Sequence, residues 1–502
     1  SVGGSNRNMD KTKERGRFDE FINVTNKLKK IVAKAIEKKK YDKALVLIST
    51  IARLSYEMNQ SYTDQILEEW LLRIGQAIFQ NFPEEKIVTD DNVVVFYDGF
   101  GEDRRGLALI YLKALGGKYK VVYVTNESAR NKIPSIEKII AEHHGEIVFF
   151  KNNFNVSSSK EIYHTILHAR AGHAFFYTTP WDTAAVIAFN CLKDTGIKRY
   201  LINLTDHAFW LGVHAFDYCI EFRDYGAYIS NQYRQIPLAK LRLLPYYPII
   251  DDAVEFEGYP FPFDETSQKL VFSGGALYKT LGAGNLYYQI VRHILESHLE
   301  VVFWYAGEGD DSQLKHVMQE FPGRVYHTKE RKDLYQILRR ASFYLNTYPI
   351  VGGLMFQYAA VAGTVPLTLK YDDEADGYLL GQEQLKVVYC SLEELYKEID
   401  RLLFDQDYVR GKAERLKASV ISSHKFSIEL DKIMNGLPTG DSIELNPVDT
   451  TALKKTYLDR FSLSKLRYSM VSLVNLKYLI WIFPLASIKK MLKWIAKNMF
   501  AE

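Results

Sequence analysis

From Pro83 onward, short apolar runs alternate with amphipathic stretches, and the alternation occurs twice. VVVFY (93–97), KVVYV (120–124), EIVFF (146–150), HAFFYTT (173–179), KRYLINL (198–204) and DYCIEF (217–222) form the first series. After a loop rich in Asp, Pro and Gly (251–265) it restarts with KLVFSG (269–274), EVVFWYAG (300–307), RVYH (324–327), FYLNT (343–347), TVPLTL (364–369) and VVYC (387–390). Strands this apolar need cover on both faces, so each series predicts a parallel sheet between helices. The expected fold is α/β: two doubly wound, Rossmann-like domains facing a cleft. Ligands of such sheets bind beyond the carboxyl ends of the strands, and the cleft is the expected active site.

Upstream, residues 16–85 read as a helical N-terminal domain. Ile31, Ala35 and Ile36, then Leu45, Ile48 and Ala52, recur at three and four, with Lys38-Lys39-Lys40 marking a break. The charge run from Lys27 to Lys43 reads as a solvated helix face. Ser-Val-Gly-Gly-Ser-Asn reads as a cloning remnant before a native Met9, and 1–15 as a disordered start. The expected division is then a helical domain over 16–85, Rossmann-like domains over 91–265 and 266–435, and a helical tail over 443–502.

Charge and cysteine usage exclude several classes. The 502 residues carry 64 Lys and Arg against 61 Asp and Glu, a net charge of +3, which argues against a nucleic-acid partner. Cys191, Cys219 and Cys390 are scattered and odd in number, with no CxxC, so no disulfide frame or zinc site is expected. His164 and His168 lie four apart on an ordinary helix and are discounted as metal ligands. No secretory signal is evident, and the run from Tyr478 to Ala486 falls far short of the ~20 residues that span a bilayer. The protein reads as cytoplasmic.

The strand exits hold the chemistry. The first runs into Asp98-Gly99-Phe100-Gly101-Glu102-Asp103-Arg104-Arg105-Gly106, where glycines permit close approach and a helix start favours an anion. The spacing is not GxGxxG, and a structural turn is the plain alternative, but the charges point to acceptor binding. After KRYLINL come Thr205-Asp206-His207, and a general base belongs at such an exit. A capping Asp and a hydrogen-bonded His are an equally plausible reading of that spacing. In the second half, Ser273-Gly274-Gly275-Ala276-Leu277-Tyr278-Lys279 places a Lys beyond a small-residue turn, where it can neutralise a diphosphate leaving group. Ala306-Gly307-Glu308-Gly309 makes another tight turn, and Gly352-Gly353 opens a helix whose N–H groups suit a phosphate.

At FWYAGEG, at LNTYPIVGGLMFQYAAVAGTVPLTL (345–369) and at Leu277-Tyr278-Lys279, the sequence resembles glycosyltransferases of the GT-B fold. The last two stretches are most similar to the O-GlcNAc-transferase-like group, which includes bacterial cytoplasmic protein glycosyltransferases with helical N-terminal domains. FYDGFG…RGLALIYLKAL and DHAFWLG…DYCIEFRDYG resemble glycosyltransferases of Gram-positive surface-polysaccharide loci. The resemblance covers roughly 91–424. It implies a nucleotide-sugar donor, UDP-linked by preference, held by 266–435, with an acceptor on 91–265. Donor contacts fall at Ser273, Gly274, Lys279, Gly307, Glu308, His327, Thr328, Gly352, Gly353 and Gln357, with Lys279 on the diphosphate. Acceptor contacts fall at Asp98, Gly99, Arg104 and Arg105. Two departures stand out. Leu354-Met355-Phe356 replaces the group's polar helix start, and Pro349 and Gln357 occupy the positions of the paired Glu of retaining enzymes. An inverting, metal-independent transferase without cofactor is therefore expected, with Asp206 or His207 as base.

The tail suggests where the acceptor comes from. From Ala452 to Glu502 there are ten Lys and Arg against two Asp and Glu. Leu485, Ile488, Leu492, Ile495 and Met499 recur at three and four, with Lys490, Lys493 and Lys497 on another face. A basic amphipathic helix carrying Trp reads as a membrane-surface element, with contacts expected at Trp481, Lys489, Lys490, Lys493, Trp494 and Lys497. The plain alternative is a helix packed back on the first domain. A peripheral protein at the inner face of the plasma membrane, glycosylating a lipid-linked saccharide in surface-polysaccharide assembly, is the leading expectation. A protein acceptor, a nucleotide-sugar epimerase and a non-catalytic partner of an active transferase are the alternatives.

Overall fold

A computed structural model describes residues 3–79, 87–103, 106–379 and 385–460, together with Ile488 and Leu492. The first sheet contains β1 (Asp90–Asp98), β2 (Lys120–Asn126), β3 (Glu146–Phe150), β4 (Ala171–Tyr177), β5 (Lys198–Asn203), β6 (Tyr218–Glu221) and β7 (Leu241–Leu243). The second contains β8 (Lys269–Gly274), β9 (Val301–Ala306), β10 (Val325–Thr328), β11 (Phe343–Leu345), β12 (Pro366–Leu369) and β13 (Val388–Tyr389).

Strand order is β3-β2-β1-β4-β5-β6-β7 in the first sheet and β10-β9-β8-β11-β12-β13 in the second. β1 pairs in parallel with β2 and β4, and β8 with β9 and β11. The order therefore reverses at β1/β4 and at β8/β11, and a crevice opens beyond the carboxyl ends of the strands at such a switch point. β4 and β9 are buried along their whole length, as strands covered on both faces must be.

The chain divides into two compact units. One comprises the chain up to Glu221, Ile229–Arg242 and the chain from Lys454; the other comprises Phe222–Tyr228 and Leu243–Leu453. The helices before β1 belong to the first unit. Ser49 donates to the Trp181 carbonyl at 2.8 Å and Thr183 to that of Leu45 at 3.3 Å. A Cβ on Gly75 would lie 3.0 Å from Cys191 Sγ, so the helix Gln65–Ile78 sits directly on Thr183–Cys191.

Three boundaries differ from expectation. A helix already runs over Gly3–Glu37, where a disordered start was expected, because Met9 to Arg15 is rich in strong helix formers. The stretch expected to link the sheets over 251–265 is part of the second unit. Phe261 stacks on Tyr326 with centroids 4.0 Å apart and meets Trp304 edge-on at 5.2 Å. At the far end, Leu453 N–H donates to Asp372 and Asp449 N–H to Asp373, each at 2.7 Å, tying 449–453 to the second unit.

Candidate active site

In the second unit three loops meet at the carboxyl ends of β8, β9 and β11. Gly275, at φ +127°, donates to the Ala306 carbonyl at 2.9 Å, and a Cβ on Gly307 would come within 1.9 Å of Gly275 O. Only glycine fits at 307. A 3-10 turn over Leu277–Thr280 follows, bearing the half-buried Lys279. Its backbone is anchored on both sides: Leu277 N–H donates to Glu308 O, and Lys279 O accepts from Ile350 N–H. Beyond β11, the buried Asn346 closes the last loop. Its Oδ1 accepts from Gly352 N–H at 3.0 Å and its Nδ2 donates to Gly352 O at 3.2 Å.

Gly352 begins the helix Gly353–Ala362, which no side chain caps. The first N–H groups of a helix lack intrahelical acceptors, so this end presents donors and partial positive charge at the β8/β11 switch point. Gly353 is fixed by sterics, since a Cβ there would lie 2.1 Å from the Tyr378 ring. Glycine turns and an uncapped helix N-terminus, with Lys279 on the adjoining turn, are the kind of elements that can receive a phosphate group.

Several expected donor contacts turn out to build these loops. Ser273 is buried and accepts from Tyr287 Oη at 2.6 Å, while Gly274 O accepts from Tyr344 Oη at 3.0 Å. His327 Nε2 donates to Gly307 O at 2.8 Å, and Thr328 Oγ1 accepts from Trp304 Nε1 at 2.9 Å. The Glu308 side chain is exposed, 3.6 Å from Lys329. Gln357 departs from expectation. It is buried, and its amide donates to the carbonyls of Tyr246 and Tyr378 at 2.9 and 3.1 Å, so it fastens two loops of the fold.

In the first unit, the β1 exit makes a tight turn around Asp98. Its carboxylate is buried and accepts from the N–H groups of Phe100 and Gly101 and from Tyr123 Oη. Asp98 thus shapes the turn instead of facing an acceptor. Gly99 passes so close to β4 that a Cβ would lie 1.8 Å from Thr178 Oγ1. Asp103 accepts from Ser135 and Ile136 N–H at the start of the helix Pro134–Glu142. Arg104 and Arg105 lie outside the described residues, as do Trp481, Lys489, Lys490, Lys493, Trp494 and Lys497.

Past β5, Asp206 is fully buried whereas the His207 side chain is 27% exposed. His207 Nδ1 lies 3.5 Å from Asp206 Oδ1, and the opposite edge of the ring carries Nε2. Beneath this loop Glu221, whose carboxyl group is pushed up by burial, accepts from Ser230 and Asn203. Arg234 is held beside it. Sequence reasoning missed Asn346, a lone amide in a short loop, and Arg234, Glu68 and Asn59, whose contacts on this loop lie far along the chain. Among the described residues no cluster of His, Cys, Asp and Glu is arranged to hold a metal ion, and no helix is long and apolar enough to cross a membrane.

No family model matches the sequence, and no curated protein matches it. Solved structures are similar in fold. An O-GlcNAc transferase mutant from Thermobaculum terrenum aligns over 83% of this chain and 82% of its own, at 13% identity and a TM-score of 0.50. A UDP-GlcNAc 2-epimerase from Neisseria meningitidis, bound to UDP-GlcNAc, aligns over 68% and 99% at 9% identity and a TM-score of 0.46. Arabidopsis thaliana UGT89C1, complexed with quercetin, aligns over 69% and 100% at 10% identity and a TM-score of 0.44. With the two switch-point sheets, the first likeness establishes a GT-B glycosyltransferase-like fold.

Proposed function

We propose that this protein is an inverting, metal-independent glycosyltransferase that moves a sugar from a nucleotide donor, UDP-linked by preference, to an acceptor hydroxyl. The observation that carries the reading is the convergence of Lys279, the glycine turns at 274–275 and 307, and the uncapped helix at Gly352-Gly353 on one switch point. In this reading the donor diphosphate lies across that crevice. Lys279 and the helix N–H groups take up the negative charge that grows on the departing nucleotide, the work otherwise done by a divalent cation.

The acceptor belongs to the first unit. His207 Nε2 takes the proton from the acceptor hydroxyl, whose oxygen attacks the anomeric carbon as the bond to the diphosphate breaks. Asp206, being fully buried, is better suited to orient the imidazole and stabilise its protonated form than to meet the acceptor. A lipid-linked saccharide is the acceptor this reading favours, because the basic excess of the tail suits an anionic membrane surface. Ile488 and Leu492, one helical turn apart, are both helical and more than half exposed, as a membrane-facing stripe requires. A soluble protein acceptor is the second reading, favoured by the helical segment fused to the first unit.

Thermal-shift titration with UDP and a panel of UDP-sugars tests the donor assignment. Stabilisation by UDP is expected in the wild type and its loss in Lys279→Ala; equal stabilisation of both removes Lys279 from the site. Product analysis then separates the chemistries. Transfer or slow hydrolysis releases free UDP, whereas an epimerised sugar still joined to its nucleotide would overturn the transferase reading.

A further inference from the structure

The loop that carries His207, Thr205–Gly212, is irregular, yet buried side chains from three distant places grip it. From below, Arg234, only 3% exposed, donates through Nη2 to the carbonyls of Ala208 at 2.6 Å and Asp206 at 3.1 Å. Its guanidinium lies 4.5 Å from the Trp210 ring, and Nη1 donates to Ser230 at 3.1 Å. From the N-terminal helices, Asn59 Nδ2 donates to the carbonyl of His207 itself at 3.1 Å. Tyr62 O accepts from Trp210 N–H at 3.4 Å. Glu68, 1% exposed, accepts from Gly212 N–H at 2.8 Å.

Burying a carboxyl group and a guanidinium is costly, and apolar packing would hold a merely structural loop more cheaply. Directed hydrogen bonds to successive backbone groups instead fix the loop's orientation, as a catalytic side chain on irregular backbone requires. We infer that Asn59, Glu68 and Arg234 are positioning residues that fix the His207 imidazole, which makes the N-terminal helices part of the catalytic apparatus. The inference rests on the reading of His207 as the base.

The test is nuclear magnetic resonance of the full chain labelled with nitrogen-15 histidine, with His207 assigned by its loss in His207→Gln and His327 as a reporter in the second unit. Asn59→Gly keeps the left-handed backbone at this position, φ 47°, and removes only the amide. Glu68→Leu removes the acceptor, and Glu68→Gln retains an oxygen for Gly212 N–H. Asn59→Gly and Glu68→Leu are expected to broaden or split the His207 ring signals while His327 is unmoved, and Glu68→Gln to restore them. Release of UDP from UDP-GlcNAc should fall at least tenfold in kcat in the first two variants, with UDP affinity within twofold of wild type. An unchanged His207 signal in folded Asn59→Gly, or broadened signals with unchanged kcat, would overturn the inference. If the ring signals broaden as expected but His207→Ala turns over normally, the loop is held as described and the base assignment fails instead.

Discussion

Lys279 sits on a turn whose backbone is tied to Ile350 through its own carbonyl, so truncating its side chain leaves that anchor in place. Lys279→Ala is expected to lower turnover by about 10²- to 10³-fold, the cost of one lost transition-state donor, while the melting temperature stays near wild type. His207→Ala makes the complementary test. Transfer should be abolished with UDP affinity nearly intact, because the proposed base acts on the acceptor; steady-state kinetics beside UDP titration reads both. Glu68 gives a pH dependence. Burial raises its pKa from 4.5 to about 7, against the lowering effect of the Gly212 and Val213 N–H groups, with Asp64 adding to the rise. The folded state therefore binds a proton more tightly than the unfolded chain. The resulting stability is complete below pH 4.5 and is lost as pH rises to about 7, a span of roughly 3 kcal/mol. Glu68→Gln should flatten that part of the stability–pH curve, measured by urea unfolding from about pH 4 to about pH 8.

At the scale of elements, the strand exits stand or fall with their glycines. A methyl group at 307 would meet a backbone oxygen, not the end of a mobile side chain, so either β8 or β9 must shift. Gly307→Ala is expected to destabilise the protein by about 1–3 kcal/mol, as overpacking does, and to weaken UDP binding with it. A variant as stable as wild type that binds UDP normally would show that the two exits are less closely joined than described. Both sheets were legible in the sequence because buried parallel strands leave unbroken apolar runs such as VVVFY and FWYAG. The start of the second unit was not. Asp, Pro and Gly around Phe256, Tyr259 and Phe261 read as a linker, while the rings themselves pack on Trp304. Lys279 and His207 were legible as residue types at strand exits. Gln357 misled for the same reason, since an amide suited to a ligand serves equally well to join the carbonyls of Tyr246 and Tyr378. The grip on the His207 loop left no local signal, because Asn59 and Glu68 reach across 148 and 144 positions of sequence.

At the scale of the molecule, the proposal of a lipid-linked acceptor rests on the tail. Removing the chain from Thr451 onward should release the protein from anionic vesicles, and charge reversal at Lys489, Lys490, Lys493 and Lys497 should weaken binding in a salt-sensitive way. Near an anionic surface each Lys is worth ~1 kcal/mol, so four are enough to separate bound from free. Apolar insertion of Leu492 and Trp494 should add a part that salt does not remove. The competing arrangement, a tail packed on the first unit, forecasts the reverse. Truncation would then lower the melting temperature, and vesicle binding would be negligible with or without the tail. Helix 451–460 gives that alternative some footing, since Gln60 already donates to Lys454 O at 3.0 Å and the Lys454 ammonium lies 4.8 Å from the Tyr62 ring. Truncation at 461 therefore makes the sharper experiment, because it keeps these contacts and removes the amphipathic stretch. Loss of vesicle sedimentation at low salt, with the melting temperature held, is the expected result. An intact protein that ignores anionic vesicles at low salt would remove the lipid-linked acceptor and leave the soluble protein acceptor as the reading to test.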